Sequence, residues 1–215
     1  MGIKEGIIYL YMLIPLDFLV QKYGVQFTGI LHVGAHECEE IFAYDKYIAR
    51  DKVVWIEALP DKVDFCKNKY PGVLIENAVV SDCVESVVFH RSNNGQSSSI
   101  LEFGTHSVHH PHVSYVGDFA CVTQRLDSIL DKYIVPFNFI NLDIQGAELK
   151  ALKGMESYLP SIQYIYTEVN SEYVYNGCCL VTEVDEYLGK FGFKRIETSW
   201  CGNYGWGDAF YVKKG

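Results

Sequence analysis

Three carboxylates close short apolar runs in this sequence: Glu57 after VVWI, Asp143 after FINL and Glu168 after YIYT. At such positions a carboxylate can accept from two vicinal hydroxyls, take a proton from a weak nucleophile, or share a divalent cation with a second carboxylate. Glu57 falls 57 − 34 = 23 residues after Gly34, near the spacing of about 20 at which an acidic residue meets ribose hydroxyls. An added 2′-phosphate would be repelled there. Asp143 stands before a helix-forming segment, as a general base or as the cap of that helix. Glu168 ends the next run. With Asp143 it forms a pair that raises one carboxyl's pKa or holds a metal such as Mg2+. Glu148 follows at helical spacing and reads as a local cap.

The loop HVGAHECEE, from His32 to Glu40, is the second candidate for ligand contact. A pyrophosphate seated on a helix N-terminus asks for G-x-G-x-x-G, and this loop offers one glycine, then His36 and Cys38. A ligand with a ribose and no phosphate makes no such demand, and S-adenosylmethionine (SAM) is a ligand of that kind. Gly34 and Ala35 give the backbone close approach, while His36 and Glu37 face the charged tail. The absent glycines also disfavour a nicotinamide oxidoreductase.

The histidines of HSVHHPHV (His106, His109, His110 and His112) have neither a paired cysteine nor an H-E-x-x-H frame, and Pro111 interrupts any helix that would align them. They read as a solvated lid, with His112 reaching the acceptor as base or hydrogen-bond donor. Tyr115, Tyr173, Tyr175, Trp200, Tyr204 and Trp206 offer stacking faces for a sugar ring.

The elements that must position these groups alternate. Strands are expected at 30–34, 53–58, 73–80, 86–91, 120–126, 137–144, 163–169, 193–200 and 208–213, and helices at 37–49, from Pro60 to about 70, at 146–155 and at 181–191. Short runs rich in Val, Ile, Phe and Tyr, separated by helical patterns, indicate βαβ units: a Rossmann-like, doubly wound, mainly parallel α/β sheet. Only Cys201 to Gly207 separates the last two strands. That is too short for a helical crossover, so the C-terminal strand returns antiparallel. Ligands then bind beyond the carboxyl ends of the strands. Residues 93–117, polar and rich in Ser and His, form an insertion expected to act as a substrate lid.

At 215 residues and 24.5 kDa one domain is expected, spanning 1–215. A net charge of −9 without a basic run argues against a nucleic-acid partner. Seven cysteines without a C-x-x-C read as reduced thiols, hence a cytoplasmic location. The apolar N-terminal stretch within residues 1–28 contains Pro15 and Asp17 and is too short to span a bilayer, which needs about 20 apolar residues. It is expected to pack on the domain or on a second subunit of a homodimer.

Four stretches, HVGAHECEE, WIEALP, ENAVVSD and above all FINLDIQGAELKALKGM, resemble FkbM-type methyltransferases of the Rossmann-like, SAM-dependent superfamily. The downstream YIYTEVN and LGKFGFKRIE suit the same family, and the resemblance spans roughly residues 29 to 214. It departs where His32 replaces an acidic residue, where Cys38 replaces a glycine and where Gln145 replaces a glutamate. The resemblance implies that Gly34 and its neighbours, His32 included, line the methionine end of SAM. Glu57 with Ala58 takes the ribose, Asn77 and Ala78 border the adenine, and Ser98 closes over cofactor or acceptor. The implied activity is O-methylation of a small-molecule hydroxyl, with a sugar or glycan as the first acceptor class. A natural-product hydroxyl and a non-catalytic SAM-fold module are the alternatives.

Overall fold

The computed structural model describes residues 12–214. Seven strands form one sheet in the order β3-β2-β1-β6-β7-β9-β8. They are β1 (Ile30–Val33), β2 (Val53–Glu57), β3 (Leu74–Asn77), β6 (Phe139–Leu142), β7 (Tyr164–Asn170), β8 (Phe193–Trp200) and β9 (Trp206–Lys213). Strands β3, β2, β1, β6 and β7 run parallel, and β9 is antiparallel to both β7 and β8. The central strands β1, β2 and β6 are buried along their whole length, which is why they read as unbroken apolar runs. The edge strand β8 carries Lys194, Arg195 and Glu197 and is only partly buried, a charged edge that discourages further pairing.

Helices cover both faces. On one, α5 (Leu126–Leu130), α6 (Glu148–Lys153) and α7 (Val181–Gly189) pack on Leu31, Val33, Ile140 and Leu142. On the other, α1 (Leu16–Tyr23), α2 (Ile41–Tyr44) and α3 (Pro60–Lys69) pack on Ile30, Trp55 and Phe139. The strand order reverses between β1 and β6, and this switch point faces the loops that carry Gly34 and Asp143.

Several elements differ from expectation. Residues 37–49 are mostly turns, because His36 and Cys38 adopt left-handed φ of 41° and 54°, and a helix cannot start through them. Helix α1 is present where only an apolar segment was expected. Its Leu16 and Leu19 are buried, and Gly24 ends it in the left-handed conformation. The strand expected at 120–126 runs from Tyr115 to Val122 (β5), and Leu126, Ile129 and Leu130 belong to α5, whose i, i+3, i+4 spacing buries all three. Strands β4 (Ser86–Ser92) and β5 pair with each other in a separate antiparallel ribbon. Within residues 93–117, His106–His109 form a short helical turn, α4. Of the N-terminal segment, residues 1–11 lie outside the described residues, and Ile14 is buried against the domain. Among the described residues no helix is long and apolar enough to cross a membrane.

Candidate active site

A cavity of about 740 Å³ opens at the switch point, within the usual range for a small-molecule site. Its floor is the loop after β1. Gly34 (φ 91°) sits so close to β6 that a Cβ there would lie 1.8 Å from the Asp143 carbonyl oxygen, so the two strand ends can meet only through glycine. The next two positions that glycine might have filled keep glycine-like backbone without glycine. His36 is held there by Glu39, whose carboxylate accepts from the Glu37 N–H at 3.0 Å and lies 2.6 Å from His36 Nδ1, and the Cys38 N–H donates to the Ala35 carbonyl at 2.7 Å. The loop is thus shaped by hydrogen bonds instead of by sequence flexibility.

Glu57 is 7% exposed and both carboxylate oxygens are anchored: Oε2 accepts from His36 N–H at 2.7 Å and Oε1 from Leu59 N–H at 2.8 Å. Burial raises its pKa, and the backbone donors oppose that rise. Each oxygen retains a lone pair for a ligand hydroxyl. Ala58 and Ala78 line the cavity beside it, whereas Asn77 points away and donates to the Glu57 and Ala58 carbonyls, both at 2.9 Å. Ala35 is buried under the loop, and Glu37 pairs outward with Lys62 at 2.6 Å; neither lines the cavity.

His32 lines it from below. The ring stacks on Trp55 at 4.5 Å, its Nδ1 lies 2.9 Å from the Tyr44 hydroxyl, and burial pushes its pKa down to about 3, which keeps it neutral. The carboxylate missing from position 32 arrives from the loop instead. Glu40 Oε2 stands 3.9 Å from His32 Nε2, and burial, followed by repulsion from Glu39, lifts Glu40 to about 8.

The far wall is built on β6, β7 and β9. Asp143 does not cap α6, which has no side-chain cap, and Glu148 Oε1 instead secures the turn ahead of the helix by accepting from the Ile144 and Gly146 N–H groups at 3.0 and 3.1 Å. Asp143 is left exposed, but into the cavity and not to bulk water, so the surrounding protein still raises its pKa, first by desolvation and then by Glu39. Gln145 (φ 57°) donates from Nε2 to Asp143 Oδ1 at 2.6 Å and to Glu168 Oε2 at 3.0 Å, and its Oε1 accepts from the Tyr175 hydroxyl at 2.6 Å. Asp143 and Glu168 therefore do share a site. Their geometry does not fit a metal: an amide nitrogen occupies the space between them. Among the described residues the one convergent group of three ligand-type side chains is Asp82, Cys83 and Glu85, away from the cavity and mostly exposed.

Of the lid histidines, His106, His110 and His112 line the cavity, while His109 pairs with Glu172 at 2.7 Å. His112 is exposed; His106 is buried. Ser98 also lines it, with its hydroxyl donated to the Gly95 carbonyl at 2.6 Å. Tyr175, Tyr204 and Trp206 line it; Tyr115, Tyr173 and Trp200 do not.

Sequence reasoning missed Glu39, Glu40, Tyr166 and Asp208, all of which line the cavity. For Asp208 a signal existed. Scanning the carboxyl ends of parallel strands overlooks that an antiparallel strand brings its first residues to the same edge, and Asp208 pairs in register with Glu168.

Residues 32–195 match the family model for the methyltransferase FkbM domain, more than half of the chain. The chain belongs to the FkbM family of SAM-dependent methyltransferases. Solved structures agree on the fold. The magnesium protoporphyrin IX methyltransferase of Synechocystis PCC 6803, crystallised with bound SAM, is 9% identical with a TM-score of 0.51, over 92% of this chain and 76% of that one. The ribosomal protein L11 methylase of Lactobacillus delbrueckii subsp. bulgaricus is 9% identical with a TM-score of 0.52, over 91% and 75%. No curated protein matches the chain.

Proposed function

We propose that this methyltransferase acts on a hydroxyl of a small-molecule acceptor, with a sugar or glycan as the class to test first and Asp143 as the base. The observation that carries this reading is the Asp143 carboxylate, which caps no helix, lines the cavity and is oriented by the Gln145 amide. SAM supplies an electrophilic methyl on a good leaving group when bound. For their part, the protein's residues hold, orient and deprotonate. Glu57 accepts from the ribose hydroxyls, Ala58 and Ala78 border the base, and the Gly34 loop admits the amino-acid end.

Asp143 would take the proton of the acceptor hydroxyl, leaving its oxygen free to receive the methyl group that bound SAM would supply. A raised pKa suits this role, since a base works best when its pKa approaches the working pH. Gln145 fixes the carboxylate's orientation, and Tyr175 fixes Gln145. The aromatic faces of Tyr204 and Trp206 support a ring-shaped acceptor, and residues 93–117 serve as its lid. All seven cysteines are unpaired, in keeping with work in the cytoplasm.

Calorimetric titration with S-adenosylhomocysteine (SAH), with NADH as control, tests the cofactor reading. Micromolar binding of SAH alone supports it, and binding of NADH instead overturns it. Transfer of a labelled methyl to a glycan hydroxyl then tests the acceptor. SAH binding without transfer to any hydroxyl acceptor would make the chain a binding module.

A further inference from the structure

The cavity carries more carboxyl groups than SAM can use. Glu39, Glu40, Glu57, Asp143, Glu168 and Asp208 all line it, and among the described residues no lysine or arginine does. If the SAM reading holds, on which this inference rests, Glu57 serves the ribose, Asp143 is the base, and Glu39 and Glu40 lie on the loop after Gly34, where the sulfonium and ammonium belong. Glu168 and Asp208 remain. They are cross-strand partners on β7 and β9, 5% and 8% exposed, close enough for each charge to weigh on the other. Asp208 is held by the Tyr166 hydroxyl and by the Leu13 N–H at 2.7 Å, and Glu168 by the Gln145 amide at 3.0 Å. All three are neutral donors, so no cation balances the pair.

A second observation comes from the histidine-rich segment. His106 is 5% exposed and lines the cavity, yet its Nδ1 has no hydrogen-bond partner in the protein. The ring is fixed by stacking on Phe103 at 4.3 Å and 8°, and it lies 5.4 Å from the Tyr175 ring, whose hydroxyl reaches Gln145. A buried, unsatisfied ring nitrogen beside a ligand cavity costs free energy unless a ligand pairs with it. As a neutral imidazole it can accept from a ligand O–H or N–H.

We propose that the acceptor carries a protonated amine beside the hydroxyl that is methylated, with the ammonium held by Glu168 and Asp208 and the polar edge of the acceptor held by His106. An acceptor bearing a carboxylate or phosphate is rejected, because its charge would be buried beside carboxyls with no lysine or arginine among the described lining residues to balance it. Tyr204 and Trp206, on the same side, offer ring faces that tolerate a cation.

The test uses three hexoses that differ in charge: glucosamine, glucose and glucuronate, titrated into the SAH-saturated protein. Glucosamine is expected to bind about tenfold or more tighter than glucose, the gain of a charge-assisted hydrogen bond, with glucuronate weakest. In Asp208→Asn, which keeps the contacts to Tyr166 and Leu13, the preference for glucosamine over glucose should collapse. In His106→Phe, which preserves the stack on Phe103, both sugars should weaken together while SAH affinity stays. SAH binding with equal affinity for all three hexoses, with preference for glucuronate, or with no hexose bound overturns the inference and leaves the SAM reading standing. Failure to bind SAH overturns the SAM reading and this inference with it.

Discussion

The two walls of the cavity are built on different principles. On the cofactor wall, after β1 and β2, polar groups are tied to nearby backbone. Glu57 is held by His36 and Leu59, Glu39 by Glu37 and His36, and Asn77 by Glu57 and Ala58. On the acceptor wall, two contacts join more distant parts of the chain, Asp208 to Leu13 and Ser99 to the Gln145 carbonyl, beside the Gln145–Glu168 and Tyr175–Gln145 pairs. It also keeps the unpaired His106 nitrogen and the Glu168–Asp208 carboxyls, while on the cofactor wall His36 Nε2 is the one buried unpaired group among the described lining residues. A wall that meets an invariant cofactor can be satisfied in advance by local bonds. The wall that meets the acceptor leaves its pairing to the ligand.

The sharpest way to break this contrast is Asp143→Asn, at the seam between the walls. Turnover on a hydroxyl acceptor should fall by about 10²–10⁴, the usual contribution of a positioned base, while calorimetric SAH affinity stays close to wild type. Turnover that survives nearly intact removes Asp143 as the base. Next in size is Gly34→Ala. The added carbon would sit 1.8 Å from the Asp143 carbonyl oxygen at a φ of 91°, so the strand ends must part. A loss on the order of 3 kcal/mol is expected, read as a melting-temperature drop of roughly 6–12 °C in thermal denaturation. A variant that melts like wild type shows that the close approach is not needed. Glu57→Ala is gentler. It strips two backbone donors of their acceptor and the ribose of its partner, so SAH affinity should weaken about 10–100-fold. Unchanged affinity takes Glu57 out of the ribose site.

The same contrast explains what the sequence revealed. Glu57 was found from its distance to Gly34, and the central strands from apolar runs whose burial the parallel sheet then completed. Those signals lie within tens of residues of one another. The acceptor wall carries no such signal: Asp208 and Leu13 are 195 residues apart, and Gln145 and Tyr175 meet only after β6 and β7 align. Residues 37–49 misled for a related reason. Their apolar spacing suits a helix, but His36, bonded by Glu39, and Cys38, bonded to the Ala35 carbonyl, take left-handed backbone that spacing cannot report. His112, chosen by its place in a histidine-rich run, lies exposed, while His106, four residues after Glu102, is the buried ring.

The smallest expected effect tests whether the acceptor wall waits for its ligand in a protonated state. Burial lifts Asp208 to about 7, above the ordinary value of about 3.9. The folded chain therefore keeps a proton that the unfolded chain has already released. The stability from that proton is complete at pH below about 4 and is lost as pH rises through about 7. His32 and His106, pushed down by burial to about 3 and about 4, work in the opposite sense. They cost stability as pH falls below about 6.5, where an ordinary histidine begins to charge. Above that pH the buried carboxylates act alone. Thermal melting of the apo protein between pH about 6.5 and about 8.5 should thus decline with pH, and in Asp208→Asn the decline should be shallower by roughly 2–4 °C. Glu40 and Glu148, raised to about 8 and about 7, keep a residual slope. Parallel declines would mean that Asp208 is already ionised in the empty site, so that an ammonium meets a standing charge and releases no proton on binding.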